Sequence, residues 1–488
     1  MPLPFNKAAF PLARRGRSGV LEKFYNFGRK NVEHETSQIA HPAFTSLQTN
    51  RYNEGMKVAI IGYGVEGKSA LHYWQDKGAD VTICDHKEEL ALPSGVHAQL
   101  GTDYLRDLDR FDVIMRSAGI PSEVITRANP KVKGKITTTI NEFLRACPTK
   151  QVIGVTGTKG KGTTSTLIAQ LLEAAGHKVF LGGNIGISPF DFIDKIGADD
   201  WVVLELSSYQ LSDMKQRVHI GVCLMVEGEH LNWHKTMDAY AKAKMQLFAH
   251  QKPEDVAIYY ADNLLSHQIA SASPGDKIAY YDTPGAYIVG KKIMIDNYVL
   301  CKTDELKLLG RHNWQNVCAA VTAAWQVAQA PDAYTKVLTT FTGLPHRLEF
   351  VREAGKVKYF NDSFASAPPA AEAAITAIKG KKVMIMGGFD RDLPLDKLVA
   401  TLKKHSSDIR SVLLIGQSAA RLSEELRAAD YTNFKLSRAT TMKQIVRDAH
   451  GLAKPGDSVV LSPGFPSFDM FKDFEERGLL FKQEVTTL

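Results

Sequence analysis

The residues best equipped for chemistry in this 488-residue chain lie between Gly154 and Gly176, in GVTGTKGKGTTSTLIAQLLEAAG. Gly157, Gly160 and Gly162 allow a tight turn whose backbone N–H groups converge on an anion, and Lys161 adds a full positive charge. The apolar run ending Val152-Ile153-Gly154-Val155 reads as a buried strand before the turn, and Thr164 to Ala175 as an amphipathic helix after it. Strand, glycine turn, lysine and helix in that order make a phosphate cradle, and a nucleoside triphosphate with Mg2+ is the ligand that suits it. The competing reading, a structural turn with a solvated lysine, leaves the ordering unexplained. Gly162 stands where a Ser or Thr hydroxyl normally follows the lysine, so the metal-facing oxygen is expected from Thr163 or Thr164.

Further polar residues interrupt apolar runs downstream. Gly182-Gly183-Asn184-Ile185-Gly186 forms a second tight loop after a short strand, with Asn184 as donor and acceptor. Glu205 breaks the strand-like WVVLELSSYQL; an unpaired buried carboxylate is costly, and beside a phosphate loop it is suited to Mg2+. His230 closes IGVCLMVEGEH, read as a third strand of the same sheet, and the C-terminal ends of such strands are where open α/β sheets bind ligands. Lys244 falls within a predicted helix from Asp238 to His250, where a lysine ordinarily snorkels to solvent.

Upstream, MKVAIIGYGVEGKSALHYWQDKGADVTICD reads as strand, glycine turn, helix and strand. Gly62, Gly64 and Gly67 match G-x-G-x-x-G and Asp85 closes the second strand, the pattern of a dinucleotide or other diphosphate site, including that of a UDP-sugar. A further strand, FDVIMRSAGIP, ends in Ser117-Ala118-Gly119, small residues that admit a ligand near the backbone.

The elements that must position these residues make up an ordinary globular chain. Apolar residues are 44% and charged residues 23% of it, with a net charge of +7 that suits acidic phosphate ligands and does not call for nucleic acid. Five scattered cysteines without a CxxC pair argue against a disulfide framework or zinc site and fit a reducing cytoplasm. No apolar run approaches the ~20 residues of a membrane span. At ~150 residues per domain the length predicts about three domains: 56–150, 151–343 and 344–488, preceded by residues 1–55 as a disordered extension or misassigned start.

Taken together, GTKGKGTT, GGNIG, LELSSYQL, EHLNWH, GRHNWQN, TTFTGLPHRLEFV, NDS and LSPGFPSFDMFKDFEERG resemble the Mur ligase family, in order from about Met56 to the C-terminus. GLPHR with LEFV and the SFDMFKDFEERG tail are similar to the type that adds glutamate to UDP-N-acetylmuramoyl-L-alanine in peptidoglycan synthesis. The resemblance implies an α/β fold of three domains: a Rossmann-like UDP-sugar domain, a central P-loop ATPase domain with a mostly parallel sheet, and a Rossmann-like C-terminal domain for the amino acid. It implies ATP and Mg2+, a monomer, no nucleic acid and no stable membrane insertion. By this resemblance Gly157, Thr158, Gly160, Lys161, Gly162, Thr163 and Thr164 hold the ATP phosphates. Asn313, Asn316, Arg347 and Asp362 complete the nucleotide site. Thr163, Glu205, His230 and Lys244 serve the metal, Lys244 as the family's carbamylated lysine; Lys161, His230 and Lys244 are its catalytic residues. Gly64, Asp85, Ser117, Asn184, Ser208 and Gln210 match the UDP-sugar substrate, and Ser366, Arg391, Ser467 and Phe474 the glutamate.

The departures gather at the amino-acid side. NDS continues as Phe364-Ala365-Ser366-Ala367, where the family has lysine, alanine, threonine and asparagine. The GG-D-G-K motif is Gly387-Gly388-Phe389-Asp390-Arg391, and Arg391 can clamp a carboxylate in bidentate fashion. Glu229 replaces the aspartate before His230. The first two, at the amino-acid pocket, leave the enantiomer open, Glu229 being a milder change: D-glutamate is the main expectation and L-glutamate the alternative. A folylpolyglutamate synthetase-like ligase shares the GTKGKG loop but gives no reason for GLPHR. A nicotinamide dehydrogenase explains GYGVEG alone, and a non-enzymatic nucleotide module would require the Phe364 and Phe389 changes to abolish ligation.

Overall fold

Three mainly parallel sheets follow one another along the chain in the computed structural model, which describes residues 55–308 and 310–488. The expected extension over residues 1–55 lies outside the described residues, Gly55 apart. The first sheet contains β1 (Lys57–Ile61), β2 (Asp80–Asp85), β3 (His97–Leu100), β4 (Val113–Arg116) and β5 (Ile136–Thr138), in the order β3-β2-β1-β4-β5. All its pairings are parallel. Strand order reverses between β1 and β4; at such a switch point open α/β sheets bind ligands in the crevice outside the C-terminal ends of the strands, here beside Gly62 to Gly67 and Ser117.

The central sheet contains β6 (Val152–Thr156), β7 (Val179–Gly183), β8 (Trp201–Glu205), β9 (Ile220–Cys223), β10 (Val256–Tyr260) and β11 (Asp276–Tyr280). Its order is β11-β10-β9-β6-β8-β7, again wholly parallel. β6 and β8 are buried at every residue, as expected of strands covered on both faces, which is why they read as unbroken apolar runs. An antiparallel meander of β12 (Tyr287–Val289), β13 (Lys292–Ile295) and β14 (Tyr298–Lys302) follows. The helix His312–Trp325 presents Ala319, Ala320, Ala323 and Ala324, all fully buried, and small side chains let the phosphate-loop helix pack closely beside it.

The third sheet contains β15 (Glu349–Ala354), β16 (Val357–Asn361), β17 (Lys382–Gly387), β18 (Ile409–Ile415), β19 (Phe434–Leu436) and β20 (Ser458–Leu461). The order is β15-β16-β20-β17-β18-β19, parallel except that β15 runs antiparallel to β16. One apolar cluster spans the first two sheets, joining Ile60, Trp74 and Phe143 to Val202, Leu206 and Leu247. The third sheet has clusters of its own on its two faces. No helix among the described residues is long and apolar enough to cross a membrane, and all five cysteines are buried and free.

Candidate active site

The phosphate loop leaves β6 through Gly157 (φ 146°) and Gly160 (φ 87°), conformations that L side chains rarely adopt. Side chains there would also collide: a Cβ on Gly157 would lie 2.6 Å from Leu224 Cβ, and one on Gly160 2.2 Å from Asn316 Oδ1. The helix begins at Lys161 and runs to Ala174, rather than opening at Thr164. Gly160 in the left-handed region releases the chain straight into helical geometry, so Lys161, Gly162 and Thr163 form the first turn with their N–H groups toward the loop. The Lys161 ammonium donates back to the carbonyls of Gly157 (3.2 Å) and Thr158 (2.9 Å), and burial holds its pKa below the usual lysine range.

Gly162 has a structural cause. A Cβ there would lie 2.9 Å from Glu205 Oε2 and 3.0 Å from Leu344 Cδ1, so the carboxylate occupies the space a Ser or Thr would need. Glu205 ends β8, and its Oε1 accepts from Asn184 Nδ2 at 2.8 Å. Gly183 brings the two together: its φ of 97° turns the chain, and Asn184 N donates to Glu205 O at 2.8 Å. A cavity of about 830 Å³ spreads from this point, lined by the phosphate loop, Asn184, Glu205 and His230 from the central segment and by Arg347, Asp362 and Ser366 beyond it.

His230 does not end a strand. β9 stops at Cys223, and His230 sits seven residues further on, in the left-handed region (φ 58°) before the short helix Leu231–His234. Gly228 and two glutamates break the apolar run, and the chain leaves the sheet there. Burial keeps the His230 imidazole below its ordinary pKa, which favours the neutral ring. Lys244 does not snorkel. It lies in the helix Met237–Ala249 with 1% of its surface exposed, and its Nζ donates to Gly157 O (2.8 Å) and Thr156 Oγ1 (3.2 Å). Burial, then the neighbouring Lys161 charge, pulls its pKa down to about 7. An amine neutral near pH 7 is a nucleophile and can take up CO2 as a carbamate.

On the far wall Asp362 follows β16, accepting from Leu348 N (3.1 Å) and Ser462 Oγ (2.7 Å). Burial raises its pKa to about 7. The Arg347 guanidinium lies 3.7 Å from the centre of the Phe364 ring, and burial lowers its pKa from the ordinary arginine value. Asn313 and Asn316 face the loop from the helix His312–Trp325, joined by a 2.8 Å hydrogen bond. Thr163 lines the cavity, whereas Thr164 is fully buried behind it with its Oγ1 unpartnered. Thr158 has its hydroxyl engaged by Tyr240 and Glu227 and its N–H by Met225 O, so the loop uses it internally.

A divalent cation fits this donor set in one way. Among the described residues no cluster of three or more His, Cys, Asp or Glu side chains could cage a metal. Glu205 and Thr163 offer hard oxygens at the loop, and one carboxylate shared with phosphate oxygens and water is the habit of Mg2+.

The residues expected on the substrate side fall into separate places. Gly64 caps the helix Val65–Gln75, and Ser117 Oγ donates to Gly62 O at 3.0 Å, both at the crevice between β1 and β4. Asp85 accepts from the N–H groups of Tyr63 (2.8 Å) and Lys87 (3.0 Å), so it braces that glycine loop. Ser208 bonds His234 at 2.9 Å and Gln210 bonds Glu66 at 2.6 Å, both outside the cavity lining. Ser366 lines the cavity; Arg391, Ser467 and Phe474 do not. Arg391 is exposed, its guanidinium 5.9 Å from the Phe468 ring, Ser467 is buried, and Phe474 packs edge-on against Phe364 at 5.0 Å. Sequence reasoning missed the stacking role of Phe364, the space-filling role of Glu205 against Gly162, and Leu344 as the residue bridging to the loop.

Comparison with known proteins gives a consistent result. The model of the Mur ligase middle domain matches residues 155–324, and that of the Mur ligase, glutamate ligase domain matches residues 346–465. The UDP-N-acetylmuramoylalanine--D-glutamate ligase of Acetivibrio thermocellus is 34% identical over 455 residues, covering 88% of this chain and 96% of that protein. Among solved structures, MurF from Acinetobacter baumannii superposes with a TM-score of 0.57 at 16% identity, covering 90% of this chain and 93% of that one. MurF ligase from Thermotoga maritima in complex with ADP gives 0.52 at 16% identity, over 90% and 97%. These structural likenesses speak for the fold.

Proposed function

The chain belongs to the Mur ligase family, and on that premise we propose that it joins glutamate to UDP-N-acetylmuramoyl-L-alanine with consumption of ATP, in peptidoglycan synthesis. It is a ligase, and D-glutamate is the amino acid named for its relatives at about 34% identity. The observation that carries the reading is the cavity itself: a phosphate loop with Lys161, Glu205 and Asn184 on one wall, and Arg347, Asp362 and Ser366 on the other.

The residues support a division of labour. The acceptor carboxylate is a poor electrophile and is activated as an acyl phosphate by the γ-phosphoryl group of ATP. Lys161 and the loop N–H groups neutralise charge on that group, so catalysis is chiefly electrostatic and positional. Mg2+, held by Thr163 and Glu205, with His230 and a carbamate on Lys244 added only by the family resemblance, would supply further neutralisation. Asn184 fixes the Glu205 carboxylate, and Asn313, Asn316, Arg347 and Asp362 seat the nucleotide. The glutamate amine then attacks the acyl carbon; the carbon–oxygen bond breaks and inorganic phosphate leaves. Gly64, Asp85, Ser117, Ser208 and Gln210 serve the UDP-sugar side by contact or by bracing, and Ser366, Arg391, Ser467 and Phe474 the amino acid. The domain division 56–150, 151–343 and 344–488, a monomeric state and a cytoplasmic location belong to the same proposal.

L-glutamate is the second reading, favoured by one observation: Phe364, Ser366, Phe389 and Arg391 all depart from the family pattern on the amino-acid side. Phosphate release from ATP with UDP-N-acetylmuramoyl-L-alanine and each enantiomer tests both readings. Release that requires D-glutamate is expected; release that requires L-glutamate selects the second, and release indifferent to either defeats the glutamate ligase.

A further inference from the structure

Arg116, the last residue of β4, is fully buried, and neither the phosphate loop nor the cavity uses it. Its guanidinium is saturated from two directions. Nη1 donates to the carbonyls of Ser117 (3.3 Å), Ala118 (3.2 Å) and Ile120 (3.1 Å), the loop beside the β1–β4 crevice. Nε meets Asp213 Oδ2 at 2.5 Å, and Nη2 donates to Tyr209 O (3.0 Å) and Ser212 Oγ (2.8 Å), all in the central segment just beyond Glu205.

The rest of that loop is equally committed. Gly119 O accepts from Trp233 Nε1 at 3.3 Å. The N–H of Ser117 goes to Ile61 O (2.9 Å), that of Ile120 to Ser117 O (3.1 Å) and that of Ala118 to Glu66 Oε2 (3.4 Å). Only the Gly119 N–H lacks a partner among the described residues, and a Cβ at Gly119 would meet nothing within 4 Å. The loop is thus tied down at every polar backbone atom but one, and that donor lies beside the Gly62–Gly67 turn at the switch point of the sheet, where such folds bind nucleotides.

We infer that Arg116 is a positioning residue for the acceptor substrate: it shapes the Ser117–Ile120 loop to receive the nucleotide-diphosphate end and sets that loop against the central domain. This rests on the UDP-sugar reading of the crevice. An arginine is required because one planar fork must serve three carbonyls on one side and a carboxylate, a carbonyl and a hydroxyl on the other. A lysine ammonium concentrates its donors at one point and keeps only part of the set.

The test uses the full chain with Arg116→Lys and Asp213→Asn. For Arg116→Lys the KM for UDP-N-acetylmuramoyl-L-alanine should rise about 10-fold or more, with the KM for ATP and kcat within about 2-fold. Asp213→Asn keeps the loop carbonyls bonded and should raise the same KM only about 2- to 3-fold; it carries the test if Arg116→Lys does not fold. Calorimetric titration with UDP alone should show the same ranking. An unchanged KM for the UDP-sugar, or a fall in kcat with both KM values moving together, overturns the inference. A wild type that binds UDP yet forms no amide would defeat the ligase reading instead, and the UDP affinities would still judge Arg116.

Discussion

The two junctions between consecutive sheets are built on different principles. Between the first and second sheets the protein is wired. Arg116 reaches Asp213, Gln210 reaches Glu66, Ser69 reaches Asp191, and Asn141 bonds both Asp213 O and Lys215 N. Tyr73 stacks on Phe190 with ring centroids 3.9 Å apart, above a shared apolar cluster. Between the second and third sheets lies the 830 Å³ cavity, with Leu344 touching the phosphate-loop helix near Gly162. Among the described residues, no hydrogen bond in the loops and turns links the backbone of 151–343 to that of 344–488. On the proposed function, the wired junction would fix the acceptor carboxylate relative to ATP. On the same proposal, the open one would leave room for nucleotide and amino acid to enter and for the segment 344–488 to close over them. Substitutions at the wired junction should therefore cost stability and, at Arg116, affinity for the UDP-sugar, whereas those at the open junction should cost turnover.

The largest effect is expected at the open junction. Lys161→Ala should lower ligase turnover by about 10³-fold, the scale for deleting a charge aimed at a transferring phosphoryl group, with thermal stability unchanged or raised. Steady-state rates and a melting curve check both halves, and a matching loss of stability would erase the contrast. At the wired junction Arg116→Met should destabilise the fold by about 3 kcal/mol, because Asp213 is left without its charged partner. Urea unfolding should show the first two domains melting together. Separate transitions for them would break the comparison.

Lys244 belongs to the proposed functional set although it is buried. Lys244→Ala should lose about 10²-fold in activity and recover part of it with acetate or formate, which can replace a carbamate at the metal; full activity without additives would argue against the carbamate. Because its pKa is about 7, the amine is neutral above that pH and protonated below it. Wild-type activity limited by bicarbonate should accordingly fall as pH drops through about 7.

The smallest effect belongs to Asp362. Its pKa is raised from 3.8 to about 7 in the folded, ligand-free protein, so between those values the folded state binds more protons than the unfolded state. Stability then falls as pH rises through that window. Asp362→Asn keeps an acceptor for Leu348 N, and should raise ligand-free stability at pH 7.5 and change it little at pH 4. Nucleotide affinity should drop at the same time. Equal melting shifts at both pH values would contradict this.

The contrast between the junctions also explains what the sequence disclosed. The phosphate loop, Glu205 and the parallel α/β order were legible because they follow local rules of glycine turns, apolar runs and strand ends. The helix start at Lys161 was not, since Gly160 and Gly162 weigh against a helix until the close approach of Glu205 is known. His230 reads as a strand end because the apolar run conceals the exit of the chain after Cys223. Burial of Lys244 depends on β6 lying beneath its helix, and Arg116 looks like any charged strand end until Asp213, 97 residues away, is seen beside it. Function at the open junction is written in short motifs. The wiring of the other junction is written in pairs distant along the chain, which one sequence does not reveal.

Oxygen tracing shows whether the cavity activates a carboxylate with ATP. UDP-N-acetylmuramoyl-L-alanine carrying 18O in the alanyl carboxylate should be incubated with the enzyme, ATP, Mg2+ and glutamate. Passage through an acyl phosphate predicts that each phosphate released carries one oxygen from that carboxylate, and that its appearance depends on glutamate. Amide product accompanied by phosphate without the label would contradict the account.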